Sequence, residues 1–102
     1  MATISNPKRS ATRLAIPVPV TLEWVSETGD PVQEETITQD ISRMGAAVFS
    51  ALPLERGRYL RVSNQSYGVS LLASVRNRTT SDQGQTRLHL QFLKQEWPLD
   101  IV

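Results

Sequence analysis

Val18-Pro-Val-Thr-Leu-Glu-Trp24, the turn Glu27-Thr-Gly-Asp-Pro31 and the polar run from Val32 to Ile41 decide how the rest of the chain is read. Successive side chains of a strand point to opposite faces, so Val18, Val20, Leu22 and Trp24 line one face while Thr21 and Glu23 line the other. Pro17 and Pro19 cannot donate to a ladder and belong at the leading edge. Gly29 is free to take a positive φ, and Pro31 resets the chain direction, which makes Glu27–Pro31 a hairpin turn. The product is a two-stranded ribbon with one apolar side.

The pattern repeats along the chain. Ala46 to Ser50 predicts a third strand, and Leu52 and Leu54 in the following loop plug one end of the core. Tyr59 to Ser63 predicts a fourth strand, with Leu60 and Val62 inward. A fifth follows in which Val69, Leu71, Ala73 and Val75 alternate on one face. Asn77 to Thr86 has no apolar residue and is expected as a surface hairpin loop. Leu88, Leu90 and Phe92 form the sixth and last strand. Six antiparallel strands with one apolar side bury it by curling into a small barrel, which also removes edges, so the expected class is an all-β, six-stranded antiparallel barrel. After Phe92, Pro98 interrupts the last ten residues, which leaves a turn or two of helix at most, with Trp97, Leu99 and Ile101 against the barrel or a neighbouring subunit.

The chain has 102 residues, the size of one domain with a modest core, and a formal net charge of +1. It contains no cysteine, so disulfides and thiolate metal sites are excluded and a reducing, cytoplasmic setting is expected. Neither a signal peptide nor a membrane-inserting run is apparent. The charges fall in blocks. Lys8, Arg9 and Arg13 lead, six carboxylates from Glu23 to Asp40 follow, and Arg56, Arg58, Arg61, Arg76 and Arg78 come later. Such separation in a near-neutral chain suggests a local anion site rather than the coating of a polyanion.

Two short polar patterns carry the chemistry. In Arg9-Ser-Ala-Thr-Arg13, between Pro7 and Pro17, the guanidinium forks can grip a phosphate or the O6 and N7 acceptors of guanine. In Asp40-Ile-Ser42-Arg-Met-Gly45, the carboxylate can accept from the guanine N1–H and N2–H, and Ser42 offers a small hydroxyl. Gly45 permits a turn or a close approach. Arginine and aspartate around one purine read guanine on two edges and reject adenine. The same residues also suit a plain turn, in which the Asp40 carboxylate caps backbone amides and Gly45 supplies positive φ.

With these residues in this order, the chain resembles the PilZ domain family, whose six-stranded barrels carry an Arg-x-x-x-Arg segment ahead of the first strand and an Asp/Asn-x-Ser-x-x-Gly pattern after the second. The resemblance covers nearly the whole chain and implies a receptor for cyclic di-GMP, a ligand rather than a cofactor. Arg9 and Arg13 would form a flexible clamp that orders on binding, joined by Lys8. Asp40 and Ser42 would be barrel-side contacts, and Gly45 a shape requirement. Two positions depart from the family: Lys8 stands where another arginine is common, and His89 stands in the last strand where a glycine is common.

The expected organisation is a clamp segment over residues 1–16, a barrel over 17–93 and a short tail over 94–102. A downstream protein partner and a homodimer are compatible with this layout, whereas nucleic acid and membrane insertion are not expected. Two alternatives stand beside it: a degenerate barrel acting as an adaptor without nucleotide binding, and a nucleic-acid module, disfavoured by the scarcity of free aromatics. No catalytic grouping is evident, and an enzyme is not expected.

Overall fold

The computed structural model describes residues 12–98. They form β1 (Pro19–Val25), β2 (Pro31–Ile41), β3 (Gly45–Phe49), β4 (Tyr59–Asn64), β5 (Val69–Thr80) and β6 (Thr86–Phe92), joined in the order β1-β2-β3-β6-β5-β4 as a closed antiparallel barrel. No helix occurs among the described residues, and hence none long and apolar enough to cross a membrane. The expected all-β barrel is the fold observed.

The alternation in β1 works as its sequence dictates: Val20 and Leu22 are buried, and the turn after Val25 places Gly29 at φ 87°. Leu22, Val48, Val62, Val75 and Leu88 form the centre of the core, each contributing roughly 1.5–3 kcal/mol through burial. Leu54, fully buried, and Leu52 close one end of the barrel from the loop after β3.

One expectation is corrected and one alternative is decided. The polar stretch after Val75 is not a long loop, because β5 continues to Thr80 and pairs with β6 through Thr80 and Thr86. A bulge between Val75 and Asn77 shifts the register there, and the two strands run on as a ribbon whose polar residues need no core. Trp97 was expected against the barrel or a neighbouring subunit, and it lies in the barrel. It is fully buried, stacked on Phe92 with ring centroids 5.7 Å apart, and its indole packs into the core. Residues 93–98 form no helix, and Leu99 and Ile101 lie outside the described residues.

Candidate functional site

Leu14 forms an isolated antiparallel bridge with Ile41: its N–H donates to the Ile41 carbonyl at 2.7 Å, and the Ile41 N–H returns a bond at 2.9 Å. The chain between this bridge and β1 is held by Thr38, whose buried hydroxyl accepts from the Val18 N–H at 2.9 Å and donates to the Ile16 carbonyl at 2.7 Å. Leu14 and Ile16 pack on the core, so the segment just after Arg13 has a structural face that its sequence reading overlooked. Arg13 is thus anchored by its neighbour at a fixed point on β2. Lys8 and Arg9 lie outside the described residues.

That anchoring sets Arg13 beside Asp40, and its Nη1 donates to Asp40 Oδ1. The Arg13 side chain is 53% exposed and that of Asp40 28%. An ion pair so open to water is worth only about 0–1 kcal/mol, so an incoming ligand can replace either partner at little expense.

Ser42 and Gly45 sit differently. Ser42 is buried, and its Oγ accepts from the N–H groups of Met44 and Gly45, each at 3.2 Å, while its own N–H donates to the Gly45 carbonyl at 2.8 Å. The cap of this turn is therefore the Ser42 hydroxyl, not the Asp40 carboxylate, and it faces main chain rather than the surface. Gly45 is not in the left-handed region. A Cβ there would collide with the Leu90 carbonyl oxygen, so glycine is required by the close approach of β3 to β6. The turn is also clasped from outside, by the Phe92 N–H on the Met44 carbonyl (2.8 Å) and the Trp97 N–H on the Arg43 carbonyl (2.9 Å).

Register extends the surface that Asp40 begins. Asp40 pairs with Ala47, Ala47 with His89, and His89 with Asn77, which makes one row across β2, β3, β6 and β5. At one strand spacing per step, His89 stands about 10 Å from Asp40. Ala47 between them is small and buried, a low floor flanked by larger groups. The His89 ring nitrogen Nε2 lies 3.1 Å from the Thr79 hydroxyl. Arg87, two residues before His89 and on the same face, donates through Nη1 to Gln39 Oε1 at 3.1 Å, and its buried Nε has no partner among the described residues. Arg76 donates to Gln91 Oε1 at 2.5 Å. Since β3, β5 and β6 contain no carboxylate, Asp40 faces a surface whose remaining charges are arginines.

The structure thus brings two of the expected site residues, Arg13 and Asp40, into contact and adds Arg87 to the same face, a residue the sequence patterns did not single out. The signal for Arg87 was present in the alternation of β6, where Leu88 and Leu90 point inward and Arg87 and His89 therefore outward. No group of three or more His, Cys, Asp or Glu among the described residues could hold a metal ion.

A family model described as the PilZ domain matches residues 7–96. No curated protein matches the chain. Among solved structures, the chain is similar to the Bacillus subtilis inhibitor of motility MotI/DgrA, at 19% identity and a TM-score of 0.67, over 88% of this chain and 44% of that one. It is also similar to the PilZ domain of Escherichia coli YcgR with c-di-GMP, at 17% identity and a TM-score of 0.58, over 85% of this chain and 79% of that one. A third likeness is to the K. pneumonia MrkH-c-di-GMP complex, at 18% identity and a TM-score of 0.61, over 91% of this chain and 46% of that one. The chain spans less than half the length of MotI/DgrA and of MrkH, and at these identities the likeness is one of fold.

Proposed function

The chain belongs to the PilZ domain family, and we propose that it is a receptor for cyclic di-GMP rather than a catalyst. Arg9, Arg13 and Lys8 supply the clamp and Asp40 the guanine-reading carboxylate, while Ser42 and Gly45 hold the turn that carries Asp40 into β3. The observation that carries this reading is the Arg13–Asp40 pair, two motif residues 27 positions apart whose side chains meet on the barrel surface. The pair preserves both groups in place, charged and half open to water.

Binding then proceeds by exchange. Guanine presents N1–H and N2–H donors that can take over the Asp40 carboxylate, and the released Arg13 fork can turn to a phosphate or to O6 and N7. Arg87 extends the cationic surface beyond Asp40. Structures of YcgR and MrkH carry c-di-GMP on the same fold, which supports the assignment of ligand class.

A second reading, an adaptor that does not bind nucleotide, draws on one observation: His89 raises a bulky ring on the Asp40 row, across buried Ala47. Equilibrium dialysis of the full chain against cyclic di-GMP and cyclic di-AMP separates the two. Retention of the guanine dinucleotide at least about a hundredfold better than the adenine one is expected of a site that reads two edges. Retention of neither favours the adaptor, and equal retention of both overturns the two-edge reading of guanine.

A further inference from the structure

The barrel is closed along β1 and β4 by only three residue pairs, Thr21 with Ser63, Leu22 with Val62 and Glu23 with Arg61. Beyond Glu23, β1 goes on pairing with β2 as far as Val25, and β4 starts its pairing with β5 at Tyr59, yet the two strands no longer pair with each other. The seam opens there into a notch.

Which main-chain groups face the notch follows from alternation. The Thr38 N–H bonds the Val18 carbonyl, and the Ser26 N–H bonds the Asp30 carbonyl, so even-numbered residues of β1 bond towards β2. Odd-numbered residues bond towards β4. On β4, the Arg58 carbonyl accepts from the Val75 N–H, so even-numbered residues there bond towards β5. The next pair in register, Val25 and Tyr59, therefore points main-chain donors and acceptors at each other across the gap, with no β1–β4 pairing among the described residues. Both side chains are unusually open for their type, at 61% and 62% exposed.

The notch is a groove of about 820 Å³ with Trp24, Val25, Val32, Tyr59 and Leu72 in its lining, bordered by Arg58, Arg61 and one carboxylate, Glu23, which accepts from the Gln33 side-chain amide at 2.9 Å. Arg58 lies over the Trp24 ring at 5.9 Å, and Arg61 donates to the Ser70 hydroxyl. Neither arginine has a carboxylate partner among the described residues, where the only ion pair is Arg13–Asp40. Two unpaired strand ends, an apolar floor and two arginines against the single carboxylate of Glu23 occur at one place, nine residues along β2 from Asp40, roughly 30 Å away.

We propose that this notch is a docking site for a short extended segment of a partner protein, added as a strand between Val25 and Tyr59, whose apolar side chains alternate with carboxylates. Main-chain bonds to the two edges supply the affinity, and Arg58 and Arg61 select the acidic partner. The inference does not depend on nucleotide binding.

The test uses the full chain, labelled with nitrogen-15, and a blocked peptide, acetyl-Glu-Val-Glu-Val-Glu-Val-amide, with a lysine-for-glutamate counterpart and an N-methylated version. The glutamate peptide is expected to shift the amide signals of Val25 and Tyr59 and to slow their hydrogen exchange. The lysine peptide should bind at least about tenfold more weakly, and N-methylation should abolish binding. The surface variant Arg58→Glu/Arg61→Glu should reverse the preference between the two charged peptides. Shifts absent from both residues, equal binding of the two charged peptides, or protection that grows with protein concentration in the absence of peptide would overturn the proposal, the last by identifying a second copy as the occupant.

Discussion

The N–H of Trp97 donates to the carbonyl of Arg43 at 2.9 Å, which joins the buried end of the barrel to the middle of the turn between Asp40 and Gly45. A residue that plugs the core thereby holds the loop from which the candidate site is built. Trp97→Ala is expected to cost about 3–5 kcal/mol and to lower nucleotide affinity in the fraction that stays folded, whereas Trp97→Phe should cost less. Urea denaturation followed by circular dichroism measures the first effect, and a binding titration well below the midpoint measures the second.

Gly45→Ala is expected to destabilise by about 1–3 kcal/mol, although alanine is the conservative choice at most strand positions. The added Cβ would collide with the Leu90 carbonyl oxygen, and main chain on β6 cannot swing aside as a side chain could. Thermal unfolding of the variant beside the parent checks this. An unchanged midpoint would mean that β3 and β6 separate at no expense.

Ser42→Ala leaves the amides of Met44 and Gly45 without their hydroxyl acceptor in a buried turn, for a loss of about 1–3 kcal/mol. Since the Ser42 side chain faces main chain, this variant should lose stability in larger proportion than it loses nucleotide affinity. Asp40→Ala should do the reverse, because its exposed ion pair is worth about 0–1 kcal/mol to the fold. Paired measurements of stability and affinity on the two variants distinguish a supporting residue from a contacting one.

Arg87→Ala is expected to weaken cyclic di-GMP binding about tenfold and to flatten the dependence of affinity on salt, since it removes a cation from the Asp40 face. His89→Gly, which lowers the far wall of the Ala47 floor, should raise affinity if the ring stands in the ligand's way. Affinities at two salt concentrations for each variant check both statements.

The barrel was legible in the sequence because each strand keeps a period of two, from Val18–Trp24 to Leu88–Phe92, and a one-sided apolar ribbon has few ways to bury itself. The two patterns singled out Arg13 and Asp40 separately, as clamp and barrel-side contact, and their direct ion pair came from the structure. What stayed hidden depended on contacts distant in sequence. Trp97 follows a polar stretch with no local period, and its burial is defined by Phe92 and the open barrel end. The continuation of β5 past Val75 rests on a bulge and on partners in β6, while its own residues look like a loop. The docking of Leu14 and Ile16 was within reach, since Leu14, Ile16 and Val18 alternate without a break, but the arginines on either side of the threonine drew the reading towards a free segment.

Arg13 and Asp40, together with the arginine four residues before Arg13, are proposed to hold a guanine dinucleotide. Calorimetric titration of the full chain with cyclic di-GMP, beside an Arg9→Ala/Arg13→Ala variant of equal thermal stability, tests this most directly. Saturable heat is expected with the parent, and at least about a hundredfold weaker binding with the variant. A folded parent that gives no heat, or a variant that binds as tightly as the parent, would contradict the proposal.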